Sequence, residues 1–324
     1  MRLIALLLAL YLGPATAAEV VRVNTFPNAK ALPLCAGVAQ GIFARHSLDV
    51  RVAFTENSEK QRAGLAAGTF DLAHAAVDNA VAMAEAGHDI VILTGGDSGM
   101  NEFFAQAHIK SLADLRGRTV VVDATNTAYA LLAKKILLKE GLQEGRDYTV
   151  KPVGRGELRL KAMAESKDNA AGILNLPFTI QAEQMGMKSF GNPVEMLGPY
   201  QAAGAFALRP WVKANEGLLV RYIAAYVESQ RWALARSNRE ASTGMLMERL
   251  KLPRDVAELT MRALADPKRG FTPDAELSRE GFRNMLALRA EMEGGKPGAP
   301  EKYIDLSYYN RALQSLRRAE KAPK

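Results

Sequence analysis

Short apolar runs and amphipathic stretches of helical period alternate along this chain from Glu19 onward, and this alternation limits the possible folds more than any other feature. The first part contains the predicted strands 20–25, 48–54, 70–75 and 90–94. The segments between them, 34–45, 59–67 and 78–86, are predicted helices. Strands and helices that alternate in this way form a mainly parallel sheet with helices on both faces. The sequence therefore predicts an α/β fold.

The same pattern begins again near Ser111. Here the predicted strands are 118–123, 148–153 and 170–174, and the predicted helices are 127–140, 157–166 and 177–186. A strand at 203–208 returns the chain to the first unit, and helices follow at 216–236, 239–250, 254–265, 274–292 and 303–318. Roughly 300 residues exceed what one hydrophobic core organises, so two domains are expected. We predict a first lobe of residues 19–100 and 203–324, on which the C-terminal helices pack, and a hinged second lobe of residues 101–202.

The first 18 residues are predicted to be a cleavable signal peptide. A single arginine precedes an uninterrupted apolar run over residues 3–12, and a Gly-Pro pair ends the run. This run is too short to span a bilayer, which needs about 20 apolar residues. We expect the mature chain to begin at Ala18 or Glu19 and to be exported to the periplasm. Cys35 lies too far downstream to carry a lipid anchor.

Charge and metal-ligand content argue against several classes of function. The sequence carries a net charge of +7, but its basic residues are scattered, so we predict no nucleic-acid partner. The four histidines stand far apart without metal-ligand spacing, and Cys35, as the single cysteine, cannot form an intramolecular disulfide. We therefore predict no metal and no cofactor.

Ligands of open α/β sheets bind at the carboxyl ends of strands, where helix N-termini direct unpaired N–H groups outward. This rule selects the loops 25–28, 77–79, 95–101, 123–127 and 175–177. The small hydroxyl and amide side chains of loop 123–127 precede a predicted helix. They either cap that helix or form a seat for a carboxylate, sulfonate or phosphate group. Asp78 likewise either caps the helix that follows it or accepts a hydrogen bond from a ligand.

Three motifs carry a resemblance to a known family: GVAQGIFA at 37–44, LAAGTFDL at 65–72 and LADLRGRTVV at 112–121. Over roughly residues 20–235 the chain resembles the solute-binding proteins of ABC importers. The branch is the SsuA/THI5-like one, which includes nitrate, sulfonate, taurine and thiamine-precursor binders. The resemblance implies a type II periplasmic-binding-protein fold that closes on its ligand about a hinge. It also implies a monomer whose partners are a permease and an ATPase of the inner membrane.

The ligand-contacting positions implied by this resemblance are Thr25, Phe26, Asp78, Asn79, Gly96, Asp97, Thr125, Asn126, Thr127 and Asn175. The loops that hold them contain no arginine of the kind that binds a sulfonate or nitrate. Asp78 and Asp97 would moreover repel an anion. Among sulfonates, carboxylates, pyrimidines and amines, this favours a neutral or nitrogen-containing ligand.

Two other functions stay open at the level of sequence. A desulfinase-like enzyme of the same fold would use Cys35 as nucleophile and His74 as base, although Cys35 sits in an apolar helical stretch where a buried, inert thiol is expected. A periplasmic sensor domain would report the ligand to a membrane partner instead of delivering it. The leading interpretation is capture of a small polar organic solute by lobe closure.

Overall fold

The computed structural model describes residues 17–97 and 99–321. The predicted signal peptide lies outside these residues except for its last two positions, and Ser98 of the loop 95–101 also lies outside them. The strands in chain order are β1 (Glu19–Thr25), β2 (Leu48–Phe54), β3 (Leu72–Ala76), β4 (Ile90–Ile92), β5 (Asn101–Ala105), β6 (Thr119–Val122), β7 (Thr149–Pro152), β8 (Asn169–Asn175), β9 (Lys188–Ser189) and β10 (Ala203–Leu208).

The helices in chain order are α1 (Leu32–Ala39), α2 (Ile42–Arg45), α3 (Ser58–Ala66), α4 (Asp78–Glu85), α5 (Ala128–Lys139), α6 (Gly156–Glu165), α7 (Phe178–Gln184), α8 (Pro193–Leu197), α9 (Arg209–Ala214), α10 (Glu216–Leu234), α11 (Arg239–Leu250), α12 (Arg254–Leu264), α13 (Arg279–Glu293) and α14 (Ser307–Lys321). None of the helices within residues 17–97 and 99–321 has the length and apolar content needed to cross a membrane.

The strands form two five-stranded sheets, one in each lobe. The first has the order β2-β1-β3-β10-β4 and the second the order β7-β6-β8-β5-β9. Three neighbouring strands in each sheet are parallel, and the strand that follows them, β10 or β5, runs antiparallel. The chain crosses from the first sheet to the second after β4 and returns before β10. The predicted two-lobed α/β fold is thus confirmed, and each sheet is mainly parallel, with one strand, β10 or β5, running against the other four.

The largest difference from the predicted elements is β5, which the sequence analysis leaves without a strand. Its sequence, NEFFA, has too few apolar residues to show a period, and it forms a strand because β8 pairs with it along its whole length. The predicted helix 34–45 is divided into α1 and α2 at Gly41, whose φ of 63° is left-handed. The helix predicted over 274–292 begins only at Arg279, because Asp274 and Ala275 have positive φ angles.

The C-terminal helices pack on both lobes, although the sequence analysis places them on the first lobe alone. Helix α10 buries Leu219, Tyr222 and Ile223 in the first-lobe core and packs on α1 and α14. Helix α13, however, packs against α5 of the second lobe, and α12 contacts α7. The amide of Gln184 in α7 donates to a carboxylate oxygen of Asp255 in α12, at 3.1 Å. These helices therefore connect the two lobes beside the crossing segments.

Candidate functional site

A cleft lies between the two lobes, where the carboxyl ends of strands from both sheets face each other. It contains about 790 Å³ of space that atoms do not occupy, part of which is open to solvent. Residues that follow β1, β3 and β4 line its first-lobe wall, and residues that follow β6, β7 and β8 line the second. This is the location that the topology of open α/β sheets favours for a ligand.

The lobes contact each other across the cleft. The backbone N–H of Arg155 donates to the carbonyl of Glu56 at 2.9 Å, and the hydroxyl of Ser58 donates to Oδ2 of Asp123. The N–H of Ala29 donates to the carbonyl of a second-lobe residue, Leu176, at 3.1 Å. The structure is therefore a closed form in which both walls can contact one small molecule.

The charges at the first-lobe wall neutralise each other. The Lys30 ammonium donates to Oδ1 of Asp97 at 2.9 Å and to Oδ1 of Asn101 at 3.2 Å. Desolvation lowers the pKa of Lys30, but the charge of Asp97 and the phenol of Tyr129 raise it above its ordinary value. Since Asp97 is fully buried, Lys30 compensates a carboxylate that would otherwise be isolated from solvent.

The remainder of the first-lobe wall is largely apolar and aromatic. Phe26, Tyr226 and Phe271 line it together with several alanines and glycines. His74 also lies here, and its Nε2 is 2.8 Å from the hydroxyl of Tyr222. Burial lowers the pKa of His74 to about 3, so its imidazole is neutral near pH 7. This wall therefore offers flat apolar surface and no net charge.

The second-lobe wall contains a buried cation that makes no ion pair with any residue the structure describes. Arg159 in α6 is 2 % exposed and lines the cleft. It donates to the carbonyls of Ile173, at 3.0 Å, and Gly154, at 2.7 Å, and its guanidinium lies 5.1 Å from the ring centre of Tyr129. Burial lowers its pKa, which the nearby Asp123 opposes, but a guanidinium stays protonated in proteins. The cleft therefore contains a buried guanidinium that no ion pair among the described residues neutralises.

Two buried hydrogen-bond acceptors lie beside this cation. Oδ1 of Asp123 and Oδ1 of Asn175 are inaccessible to solvent and receive no hydrogen bond from the described residues. Asp123 directly follows β6 and Asn175 ends β8, and these strands are parallel neighbours. The two acceptors consequently lie at the same edge of the second sheet.

The N-termini of α5 and α6 adjoin the same wall. Thr127, Ala128, Tyr129 and Gly156 all line the cleft. The hydroxyl of Thr127 donates to the carbonyl of Ala124 at 2.9 Å and so does not cap α5, and no side chain in the described part of the chain caps α6. A Cβ atom at Gly156 would lie 2.7 Å from Oδ1 of Asn175, so glycine allows this close approach. Uncapped helix N-termini favour an anion, which supports the anion-seat interpretation of loop 123–127 over the capping one.

Comparison with known proteins places the chain in a family. The model of the NMT1/THI5-like family matches residues 28–239, which is well over half of the chain. The chain belongs to this family. Among curated proteins, no sequence matches it significantly.

Solved structures share the fold of this NMT1/THI5-like protein at low sequence identity. The nitrate-binding protein NrtA of Synechocystis PCC 6803 has a TM-score of 0.76 at 14% identity, over 95% of this chain and 91% of NrtA. A ligand-binding component of an ABC-type import system from Staphylococcus aureus, with zinc bound, also scores 0.76 at 14% identity, over 91% and 99%. The alkanesulfonate-binding protein SsuA of Xanthomonas axonopodis pv. citri, bound to MOPS, scores 0.70 at 17% identity, over 84% and 92%. The fold is that of periplasmic binding proteins.

Six of the ten predicted contact residues line the cleft of this NMT1/THI5-like protein. They are Thr25, Phe26, Asn79, Gly96, Thr127 and Asn175. All six lie at the carboxyl end of a strand or at the helix start that follows it. The rule on strand ends therefore selects the edge of each sheet that faces the cleft.

The two predicted aspartates do not line the cleft. Asp78 is 1 % exposed and pairs with Arg289 of α13 at 3.0 Å. Asp97 pairs with Lys30, as described above. Neither carboxylate therefore sets the charge of the cleft, and the repulsion of an anion that the sequence analysis attributes to them is not supported.

The other two predicted residues lie at the rim, on the exposed part of loop 123–127. Thr125 is exposed, and its carbonyl accepts from Lys134 at 3.2 Å. Asn126 accepts at Oδ1 from Arg62 of the first lobe, at 3.2 Å, and its carbonyl accepts from Arg289, at 3.3 Å. Asn126 thus contributes to contact between the lobes.

The predicted loops contain no arginine, but two arginines outside them, Arg155 and Arg159, line the cleft. Arg155 directly precedes α6 and Arg159 lies within it, whereas the predicted contacts come from strand-end loops. The sequence contains a pattern that could have identified Arg159. At helical spacing, this residue shares the buried face of α6 with Gly156, Leu160 and Met163. An arginine on an apolar helix face indicates either a buried ion pair or a ligand.

The pair proposed for thiol chemistry is not assembled in this NMT1/THI5-like protein. Cys35 is buried in α1 and is not among the cleft-lining residues, whereas His74 lines the cleft and is bonded to Tyr222. Burial raises the pKa of the Cys35 thiol, which disfavours the nucleophilic thiolate. Within residues 17–97 and 99–321, no three histidine, cysteine or carboxylate side chains lie close enough to hold a metal ion.

Proposed function

We propose that this protein is a periplasmic solute-binding protein that captures a small polar organic solute bearing an acidic group and delivers it to an ABC importer. The observation that carries the proposal is Arg159, a buried cation without an ion-pair partner among the described residues, in the wall of a closed cleft. Burial of an unpaired charge is costly unless a partner compensates it. A carboxylate or sulfonate group of a ligand would provide that partner.

The uncapped starts of α5 and α6 support the same assignment. Their first residues line the cleft beside Arg159, and backbone N–H groups at a helix start favour negative charge. The proposed ligand contacts are the six lining residues named above together with Arg159. This replaces the preference for a neutral ligand, which depended on an absence of arginine.

Lobe closure would produce the binding event. Hydrogen bonds join the lobes at Glu56 and Arg155, and at Ser58 and Asp123. These residues flank the cleft, so a ligand that contacts both walls would shift the equilibrium toward the closed form. The NrtA and SsuA proteins, whose fold this chain shares, bind nitrate and alkanesulfonates according to their names, and this supports a capture role here.

Export is a further part of the proposal. Residues 1–18 would direct the chain to the periplasm and be removed at Ala18 or Glu19. Cell fractionation followed by N-terminal sequencing of the purified protein tests this. Recovery from the periplasm with residue 18 or 19 first supports it, and cytoplasmic recovery with an intact N-terminus contradicts it.

Ligand capture is tested by a thermal-shift screen of the purified protein against nitrate, sulfonates, carboxylates, amino acids, pyrimidines and polyamines. A ligand at 100 times its dissociation constant stabilises the folded state by about 2.7 kcal/mol. We expect at least one acidic compound to raise the Tm of the wild type and of the surface control Arg262→Met, but not of Arg159→Met. No stabilisation by any compound, together with no solute released on denaturation and detected by mass spectrometry, would contradict the proposal.

Delivery to an importer separates the proposal from a sensor role. Uptake of the stabilising compound by cells is compared with and without the gene for this protein. Loss of uptake supports delivery. Unchanged uptake with a lost transcriptional response to the compound supports the sensor alternative.

A further inference from the structure

The second-lobe wall presents more than a cation. Three of its buried polar groups have unused hydrogen-bonding capacity: the guanidinium of Arg159, Oδ1 of Asp123 and Oδ1 of Asn175. Their side chains are 2 %, 7 % and 3 % exposed, and all three line the cleft. One is a donor and two are acceptors, so they require different groups on a ligand.

A ligand with only an acidic group would leave the two acceptors of this wall without a hydrogen-bond donor. A carboxylate or sulfonate has no N–H to donate to Asp123 and Asn175, and it would lie beside the negative charge of Asp123. Buried acceptors without a donor cost free energy and are rare in folded proteins. The ligand should therefore bring an N–H donor group to the same place to which it brings its anion.

The charges around the cleft indicate the net charge of such a ligand. Lys30 and Asp97 neutralise each other, and Arg155 pairs with Glu157 at 3.0 Å. Arg159 and Asp123 remain, with opposite charges, and each lacks a counter-ion within ion-pair distance among the described residues. A ligand with one positive and one negative group satisfies both and leaves the cleft neutral.

Asp123 differs in this respect from the other buried carboxylates. Asp78 and Asp97 also have one oxygen without a donor, but each forms an ion pair through its other oxygen, with Arg289 and with Lys30. Among the described residues, the second oxygen of Asp123 has only Ser58 as its partner. Asp123 is also the only one of the three that lines the cleft.

We propose that the cleft binds a zwitterionic α-amino acid with an apolar or aromatic side chain. Its carboxylate would accept from Arg159 and the starts of α5 and α6, and its ammonium would donate to Asp123 and Asn175. Its side chain would lie against the aromatic residues of the first-lobe wall, Phe26, Tyr226 and Phe271. This inference rests on the proposed function, and it adds the amino group and the apolar side chain.

The test is isothermal titration calorimetry with three probes of one carbon skeleton: L-phenylalanine, 3-phenylpropionate, which lacks the amine, and 2-phenylethylamine, which lacks the carboxylate. We expect L-phenylalanine to bind at least about 30-fold more tightly than either analogue, because a site built for a hydrogen bond strongly rejects a compound without the matching group. L-Leucine should also bind, and L-glutamate should not.

Two variants separate recognition from closure. Asp123→Asn removes the charge for the ammonium, so the preference for L-phenylalanine over 3-phenylpropionate should fall to about 3-fold or less. Ser58→Ala removes one of the hydrogen bonds between the lobes, that of the Ser58 hydroxyl, but keeps both oxygens of Asp123, so it should weaken all probes alike and preserve the preference. Because the preference is a ratio within one variant, a general loss of stability does not alter it.

The outcomes distinguish this inference from the proposed function. Equal binding of 3-phenylpropionate and L-phenylalanine, dependent on Arg159, would overturn the amino-acid inference and retain the solute-binding role. Binding of another compound of the screen, with none of these probes bound, would also overturn the inference alone. No binding of any compound would overturn both.

Discussion

The two walls of the cleft contain similar residue types but use them differently. On the first lobe, buried charges meet partners from the protein itself: Asp97 has Lys30, and Asp78 has Arg289. On the second lobe, the buried charge of Arg159 has no ion-pair partner among the described residues and lines the cleft. The comparison shows that a buried charge at this cleft is available to a ligand only where the fold has not already paired it.

This difference assigns the walls separate tasks. The first wall is neutral and aromatic, so it suits the apolar part of a ligand. The second wall is charged and polar, so it suits the functional groups. Substitutions in one wall, compared with substitutions in the other or at matched surface positions, test this division.

The largest effect on stability is expected at Lys30. Lys30→Met leaves Asp97, which is fully buried, without its cation, and loss of one partner of a buried pair costs about 3–5 kcal/mol. Urea unfolding measures the change. The double variant Lys30→Met with Asp97→Asn should recover much of the loss, since no charge is then left uncompensated. Equal stability of Lys30→Met and the wild type would show that the first wall does not depend on this pair.

Arg159→Met should reduce stability less than Lys30→Met but should reduce ligand affinity strongly. It removes two hydrogen bonds to backbone carbonyls, so we expect a stability loss of about 1–3 kcal/mol, but ligand affinity should fall by at least about 100-fold. Calorimetric titration with the most tightly bound screening compound measures this. The surface variant Arg262→Met serves as control. If Arg159→Met kept the wild-type affinity, Arg159 would not be the residue that binds the acidic group of the ligand.

His74, in the first-lobe wall, should make the stability of the folded protein depend on pH. Its pKa is lowered to about 3 in the folded protein by burial, against about 6.5 in the unfolded chain. Below pH 6.5 the unfolded state takes up a proton that the folded state does not, so stability falls as pH falls, by roughly 1 kcal/mol per pH unit between about pH 6 and 4. Urea unfolding at each pH should show a shallower slope for His74→Gln than for the wild type. The exposed His108→Gln should keep the wild-type slope, and a wild-type slope in both variants would reject this assignment.

The smallest effect is expected at the rim. Arg62 donates from the first lobe to Asn126 of the second at 3.2 Å, in an exposed position, where such bonds contribute about 1 kcal/mol or less. Arg62→Met should therefore weaken every ligand by no more than about 5-fold, without altering the order of affinities. Competition titration measures that order, with Arg318→Met as the surface control. A changed order would mean that Arg62 contacts the ligand.

Most of the fold could be predicted from the sequence, because the pattern that marks each strand or helix lies within that segment. The strands Leu48–Phe54 and Ala203–Leu208 are predicted with their observed bounds, since their apolar runs are bordered by turn residues. Strand β5 was not accessible, because its pairing with β8 joins residues about 70 positions apart and NEFFA shows no clear period.

Only the loops around the candidate site could be predicted from the sequence, and not which of their residues line the cleft. The strand-end rule selects loops that border the cleft. It does not distinguish Asn175, which lines the cleft, from Asp78, which pairs with Arg289, 211 residues away in sequence. Partners that distant in sequence leave no local pattern. Arg159 was accessible in principle, as a charged residue on the buried face of α6.

The central claim is that Arg159 and its neighbours on the second lobe bind the polar groups of a solute in this cleft. A crystal structure with the most tightly bound screening compound tests it most directly. The account predicts an acidic group of the compound within about 3 Å of the Arg159 guanidinium, and its apolar part against Phe26, Tyr226 and Phe271. A compound bound outside the cleft, or with its acidic group on the first-lobe wall, would contradict it.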